Sequence, residues 1–318
     1  MKKSKNNSIF RSNVFVLIII TIVVAFIFWL GNHNFLSEGN FRNIMISMSA
    51  DGLYVLGAAI CLIAGEVDLS SGAVACFCSI VFGLATNAGI FWPISMILGL
   101  LVGAGFGLLH AVLVNNLKMM SFLATLAAGQ IYRGFAVLIT ANKNFQVDKS
   151  VTAVGTTFWI IPLPFIIMVA IMIGYGVMMR KRRLGRSIYL VGGNRESARL
   201  SGTNPRKVSY FVYLNNGIIC ALAGIMVAAR MHISSPNTGT GAETDAITGA
   251  VLGGVSFMGG SGTLAGCFVG VLLLDVFSVG LTAVGFPSYW QMVAKGILLI
   301  LALVIDYFMR TAREKRMR

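Results

Sequence analysis

Apolar runs of nearly membrane-spanning length recur along this 318-residue chain, between positions 15 and 308. A helix of about 20 apolar residues crosses the hydrocarbon core of a bilayer. Hydrophobic residues form 57% of the chain and charged residues only 11%, against roughly 25% charged residues in ordinary soluble domains. The sequence therefore predicts an all-α, polytopic membrane protein with one transmembrane domain over residues 1–318.

Polar breaks divide the apolar sequence into about ten predicted transmembrane helices of roughly 20 residues. The predicted spans are 12–30, 41–64, 70–88, 92–115, 121–140, 158–179, 209–230, 246–258, 262–285 and 289–309. Flexible or polar residues interrupt apolar sequence near 64–72 and 246–262, and they predict broken or re-entrant segments there. Such backbone is tolerated at membrane depth only where it is buried in protein or lines an aqueous cavity, as in transporters.

Basic residues are concentrated on one predicted side of the membrane. The tails 1–11 and 310–318, Lys118 and the loop 180–208 together hold 19 of the 25 lysines and arginines. Cytoplasmic loops are enriched in these residues, so both termini are predicted to be cytoplasmic in a multi-pass membrane protein. The net charge of +14 is not interleaved with aromatic residues, which favours membrane topology over nucleic-acid binding.

Small residues at four-residue spacing predict close helix packing. They form two series, Gly99, Gly103, Gly107 and Ala111, and Gly262, Gly266 and Gly270. The five cysteines all lie in apolar segments, where they behave as small hydrophobic residues. Their positions predict neither a disulfide framework nor a metal site.

The sequence contains no convincing nucleophile and base for catalysis, so the chain is predicted to have no enzymatic activity of its own. It also lacks a GxxxxGK[ST] phosphate-binding loop. If ATP powers this protein, another chain must bind it. No cofactor is expected in this chain.

The basic loop contains the signals of a short helix. Asn194 is a good N-cap, Glu196 lies in the first turn, and Gly202 is a good C-terminal stop. A helix of about two turns is marginal in water and needs to dock against another surface. Composition leaves two interpretations open: a solvated basic loop, or a helix that inserts into a cytoplasmic partner.

Four ordered motifs carry a resemblance to a known family. They lie at 65–72 (GEVDLSSG), at 125–134 (TL…RG), at 185–202 (GRSIY…GGN…ARLSG) and at 243–263 (E…DAI…GAVLGGVS…GGSGT). The chain resembles the ribose-type sugar permeases of ATP-binding-cassette importers, within the branched-chain amino acid/ribose permease superfamily. It departs from that pattern at Glu66, where the family commonly has isoleucine.

The resemblance implies a permease subunit of the bacterial cell membrane that translocates a small sugar by alternating access. Its implied partners are a cytoplasmic ATPase that binds ATP and magnesium, an extracytoplasmic sugar-binding protein, a second permease copy and membrane lipid. The loops near 142–157 and 232–245 would receive the binding protein. The residues implied to couple to the ATPase are Gly192, Gly193, Asn194, Glu196, Ala198, Arg199, Leu200, Ser201 and Gly202.

Charged residues at membrane depth are costly and each invites a functional hypothesis. Asp68 either lies on the translocation path or caps the helix that begins near Ser70. Glu66 would either repel Asp68 or face an aqueous cavity. Arg133, Asp275 and Lys295 would either pair between helices or touch substrate. The candidates for the translocation path or the helix breaks are Glu66, Asp68, Ser70, Ser71, Arg133, Asp245, Gly259, Gly260 and Gly262.

Three other interpretations stay open on sequence alone. The same fold could carry a nucleoside, a furanosyl signal molecule or an amino acid. The chain could instead be an ion-coupled secondary transporter in which Asp51, Glu66 or Asp68 is the coupling acid. A membrane scaffold without transport is the third.

Overall fold

A computed structural model describes residues 6–148, 151, 157–158 and 160–317, with side chains inside 14–304 and at 307. Residues 1–5 and 318 of the predicted basic tails lie outside the described residues. The described chain forms twelve α-helices. They are α1 (Asn6–Gly31), α2 (Glu38–Ile63), α3 (Ser71–Asn87), α4 (Trp92–Asn115), α5 (Ser121–Thr140), α6 (Leu163–Lys181), α7 (Arg183–Gly193), α8 (Arg195–Leu200), α9 (Pro205–Met231), α10 (Ala242–Leu252), α11 (Leu264–Ala283) and α12 (Ser288–Met317).

Short elements connect some of these helices. A 3-10 helix (His33–Leu36) follows α1. Two antiparallel strand pairs lie between the helices: β1 (Phe145–Gln146) with β4 (Ile233–Ser234), and β2 (Thr157–Phe158) with β3 (Ile161–Pro162). The β1–β4 pair joins the two loops that were predicted to receive an extracytoplasmic protein.

Each of the ten predicted apolar segments corresponds to one helix. Seven helices, α1, α2, α4, α5, α6, α9 and α11, are long and apolar enough to cross a membrane. The apolar part of α12 (Ser288–Val304) and α3 are shorter, and α10 has only 11 residues. The prediction of an all-α polytopic membrane protein is therefore confirmed.

Helices α2 and α9 form the centre of the bundle. Side chains such as Leu53, Leu56 and Ile60 of α2 are fully buried, and so is Tyr213 of α9. Helix α2 packs against α9, α10 and α11, and α9 also packs against α3 and α4. Helix α1 lies at the edge and exposes most of its apolar side chains. This arrangement is that of a bundle whose outer surface faces lipid.

The predicted glycine seams are packing seams in the structure. A Cβ atom on Gly103 of α4 would lie 2.5 Å from both the Gly217 oxygen and the Ala221 Cβ of α9. Gly266 and Gly270 of α11 pack in the same way against Gly249 and Gly253, at the C-terminal end of α10. Gly262 was wrongly placed in this seam, because α11 begins only at Leu264.

Two connections enter the bundle, one before the short helix α3 and one after the short helix α10. We call residues 64–70, between α2 and α3, the first break, and residues 253–263, between α10 and α11, the second break. The chain before α10 runs along α3, where Ser234 donates to the Ser79 carbonyl at 2.8 Å. Gly239 then packs against Gly72, with its Cβ position 3.0 Å from the Gly72 Cα. The N-termini of α3 and α10 therefore meet inside the bundle.

The loop predicted at 180–208 is mostly helical. Helix α8 matches the predicted two-turn helix, whereas α7 was not predicted. Ile188 and Val191 of α7 are buried, because α7 lies against the bundle instead of extending into solvent. We call the end of the bundle that carries α7 and α8 the basic end.

The α4–α9 seam supplies a matched test. Gly103→Ala places a methyl group against α9, and overpacking of this kind typically costs about 1–3 kcal/mol. Gly105→Ala on the same helix meets nothing within 4 Å. We expect a lower thermal unfolding midpoint for Gly103→Ala in purified, detergent-solubilised protein and an unchanged midpoint for Gly105→Ala. Equal midpoints for the two variants would contradict the seam.

Candidate functional site

The backbone of the first break finds its hydrogen-bond partners on α5. The Leu69 N–H donates to Thr125 Oγ1 at 3.0 Å, and the Val67 N–H donates to Ser121 Oγ at 3.4 Å. Backbone groups outside a helix need such partners, because an unsatisfied polar group at membrane depth is costly. The threonine of the TL…RG motif therefore supports the non-helical chain that precedes α3.

Asp68 organises the end of the first break. Its carboxylate accepts hydrogen bonds from Ser70 N at 2.9 Å, Ser70 Oγ at 2.6 Å and Asn216 Nδ2 at 2.9 Å. His110 Nδ1 lies 3.4 Å from the same carboxylate, and His110 Nε2 is 3.0 Å from the Tyr132 hydroxyl. Asp68 thus binds Ser70, the residue directly before α3, without capping a backbone N–H of the helix, and it joins this segment to α4 and α9.

Glu66 does not face an aqueous cavity, because its side chain is only 3% exposed. Its carboxylate forms an ion pair with Arg195, the first residue of α8. It also accepts hydrogen bonds from Ser209 Oγ at 3.0 Å and from the Tyr213 hydroxyl at 3.1 Å, both on α9. Glu66 and Asp68 therefore each have their own donors, which offset the cost of two nearby carboxylates.

Three backbone segments meet at the basic end in what we call the glycine junction: Gly65, Gly192, Gly259 and Gly260. The Gly260 N–H donates to the Ile63 carbonyl at 2.9 Å, which links the second break to the end of α2. A Cβ atom on Gly259 would lie 2.7 Å from the Gly192 oxygen and 3.0 Å from the Gly65 Cα. Side chains at these positions would separate the two breaks from α7.

Helix α7 is fastened to the second break as well. The Tyr189 hydroxyl donates to the Gly262 carbonyl at 2.9 Å. Burial raises the pKa of Tyr189, so the hydroxyl keeps its proton and stays a donor at neutral pH. The segment that leads into α8 therefore contacts both breaks directly.

Helix α8 has a buried side and an exposed side. The Asn194 side chain accepts a hydrogen bond from Ser197 N at 2.8 Å, and Ala198 is buried against the bundle. Leu200 is 79% exposed, and Glu196 and Arg199 form an exposed ion pair at 3.0 Å. The predicted N-cap is confirmed.

The end of α8 matches its predicted boundary. Gly202 has φ +80°, a left-handed conformation that favours glycine at a helix end. Ser201 donates its hydroxyl to the Ser197 carbonyl at 2.9 Å and is exposed, as is Gly193 before α8. The predicted coupling residues thus form one continuous segment at the basic end, exposed except at half-buried Gly192 and buried Ala198.

The remaining predicted residues lie away from the glycine junction, around the inner ends of α3 and α10. Arg133 donates to the carbonyls of Pro236 at 3.0 Å and Thr238 at 3.3 Å, so it holds the chain before α10 in place. Lys295 pairs with Asp245 at 2.6 Å, which joins α12 to α10. Ser71 is buried at the first residue of α3.

A cavity with mixed polar and apolar lining opens between α2, α6 and α9. Ser47, Ser49, Asp51 and Arg230 supply its polar groups. Only Asp51 of these residues was singled out from the sequence. The cavity offers hydroxyl, carboxylate and guanidinium groups to a hydroxylated solute.

Sequence reasoning did not identify the residues that hold the first break, namely Arg195, Ser209, Tyr213 and Asn216. A signal for three of them exists in α9. Ser209, Tyr213 and Asn216 follow the spacing i, i+4 and i+7, which places a polar stripe on one face of an otherwise apolar helix.

Comparisons with known proteins agree with this fold. Residues 40–303 match the family model described as branched-chain amino acid transport system / permease component. The ribose import permease protein of Bacillus subtilis (strain 168) is 32% identical over 300 residues, which cover 91% of this chain and 90% of that protein. The autoinducer 2 import system permease protein of Yersinia enterocolitica is 32% identical over 290 residues, covering 90% of this chain and 80% of that protein.

A third relative is the ribose import permease protein of Escherichia coli (strain K12), which is 31% identical over 304 residues, covering 93% and 92% of the two chains. No solved structure matches the chain. The family model and these relatives span nearly the whole chain, including all four motifs. The chain therefore belongs to the permease component family of branched-chain amino acid transport systems, and within it to the ribose-type importer permeases.

Proposed function

We propose that this chain is the membrane-spanning permease subunit of an ATP-binding-cassette importer for a small sugar of the ribose or autoinducer-2 kind. The cargo class comes from the names of its relatives, which are ribose and autoinducer 2 import permeases. The observation that carries the proposal is the position of α8, which is exposed on one side and contacts the first break on the other.

Residues 192–202 form the surface on which a cytoplasmic ATPase docks. Exposed Leu200 supplies an apolar anchor, and Glu196 and Arg199 supply charges beside it. ATP and magnesium are bound by that partner chain. Movement of α8 changes the two breaks, and this opens the path alternately to the two sides of the membrane.

The opposite end of the bundle receives an extracytoplasmic sugar-binding protein. The β1–β4 pair holds the loops around 142–148 and 232–241 together there. In this arrangement the basic end and both termini are cytoplasmic, in agreement with the positive-inside rule. A second permease copy completes the pathway.

The cavity beside α2 suits a sugar that passes through the chain. Ser47, Asp51 and Arg230 pair with hydroxyl groups, and the neighbouring Met226 and Val227 offer apolar contact to a ring. A pathway of this kind binds its cargo weakly, and high affinity belongs to the binding protein.

The proposal is tested in proteoliposomes that contain this chain together with an ATP-binding-cassette ATPase and a sugar-binding protein from the same genome. We expect uptake of radiolabelled D-ribose or autoinducer 2 only when ATP and all three proteins are present. No uptake is expected from a sodium or proton gradient. Uptake driven by such a gradient, without the ATPase and binding protein, would show an ion-coupled secondary transporter instead.

Leu200→Ala tests the docking surface. Removal of an exposed apolar anchor should weaken binding of the ATPase by about 1–2 kcal/mol, roughly 5- to 30-fold in Kd. The matched control is Leu138→Ala, because Leu138 is 74% exposed on α5, away from the basic end. Binding is measured between purified proteins in detergent. Equal affinities for the two variants would contradict docking at α8.

A further inference from the structure

Glu66 is a buried carboxylate whose partners all come from outside its own segment. Arg195 belongs to α8, while Ser209 and Tyr213 belong to α9. The ion pair connects residues 129 positions apart in sequence. Removal of a buried charge's partner leaves that charge in a medium that solvates it poorly, so the position of Glu66 depends on the position of α8.

The two partners of the ion pair differ in their access to water. The Glu66 side chain is 3% exposed and the Arg195 side chain 49% exposed. Arg195 therefore recovers hydration when Glu66 loses its charge, whereas Glu66 does not when Arg195 is removed. The first break gains more from the ion pair than α8 does.

The glycine junction is a second contact between the first break and the segment that leads into α8. Gly192 lies against the Ile63 carbonyl and within 2.8 Å of Gly260 N, measured from its Cβ position. Backbone packing this close leaves no room for α7 and the first break to slide past one another. Any displacement of the segment that leads into α8 therefore displaces residues 63–66 as well.

The first break passes such a displacement on to α3. Two residues after Glu66, Asp68 binds Ser70 at the start of α3 and Asn216 on α9. The start of α3 in turn contacts the chain before α10, at Gly72 and Gly239. Movement of α8 thus has a short, continuous route to the place where the N-termini of α3 and α10 meet.

We propose that the Glu66–Arg195 ion pair is the link that moves the first break together with α8, which makes Glu66 a positioning residue for transport. This inference rests on the proposed function, because it requires an ATPase that moves α8. The ion pair stays formed during the cycle and transmits movement. It does not have to break for transport to proceed.

A double-mutant cycle tests the link in the purified permease without the ATPase. The variants are Glu66→Gln, Arg195→Gln and the double substitution. Arg195→Gln should lower the thermal unfolding midpoint more than Glu66→Gln, since it leaves the buried carboxylate with two hydroxyl donors. The double variant should be more stable than Arg195→Gln alone. Additive changes in the midpoint would show that the two side chains do not interact, and would overturn the inference.

Transport tests the role of the ion pair. In proteoliposomes with the ATPase and binding protein, Glu66→Gln should reduce D-ribose or autoinducer 2 uptake per ATP hydrolysed by roughly 5- to 150-fold, the range of ordinary coupling between sites. Tyr210→Phe is the control, because Tyr210 lies beside Ser209 on α9 but bonds to exposed Asn116 at 2.8 Å. It should leave uptake per ATP unchanged.

The outcomes separate the inference from the proposed function. Normal uptake per ATP in Glu66→Gln, or a parallel loss of uptake and hydrolysis with a lowered unfolding midpoint, would overturn the link. Faster uptake would show that the ion pair restrains transport, and this would also overturn the proposed link. Failure of the wild-type complex to couple ATP to uptake would overturn the proposed function, and the inference with it.

Discussion

Backbone polar groups that leave a helix inside a bilayer must find partners within the protein, and the central part of this structure follows from how they do so. Two backbone N–H groups of the first break donate hydrogen bonds to the hydroxyls of Ser121 and Thr125 on α5. The Ile63 carbonyl accepts from Gly260 of the second break. Because the second break donates to the last residue of α2, directly before the first break, the two breaks are held side by side.

Close packing of glycine backbones follows from the same requirement. The hydrogen bond from Gly260 to Ile63 brings the second break against the end of α2 and places Gly259 beside Gly65 of the first break, and α7 lies against both. Only residues without a Cβ atom allow three chains to approach so closely, and positive φ at Gly65, Gly259 and Gly260 favours glycine further. The two breaks, where the chain leaves its helices, are therefore also the segments against which α7 packs, and α7 leads directly into α8.

The sequence predicts those features that are encoded locally. Apolar runs, the N-cap at Asn194 and the seam at Gly99, Gly103 and Gly107 depend on spacing within one segment, and the structure confirms them. Helix α7 was missed because five arginines and lysines around it indicated a solvated loop. Its apolar residues at 184, 188 and 191 nevertheless follow a helical spacing that predicts one buried face.

Long-range pairing is beyond such patterns, and the two carboxylates of the first break show why. Extended chain advances about 3.3 Å per residue and a helix about 1.5 Å. Glu66 and Asp68 are therefore spaced about as far apart as residues four positions apart on a helix. On α9 the two donors of Glu66, Ser209 and Tyr213, and the donor of Asp68, Asn216, lie on one face at positions i, i+4 and i+7. The polar stripe is therefore long enough to serve both carboxylates.

The polar stripe of α9 therefore sets the register of the first break, and Arg195 supplies the charge that the stripe lacks. Each half of this arrangement is visible in the sequence, as two acids in one segment and three polar residues in the other. Their partnership is set by the fold, since only the packing of α9 against α2 and α3 brings the two segments side by side.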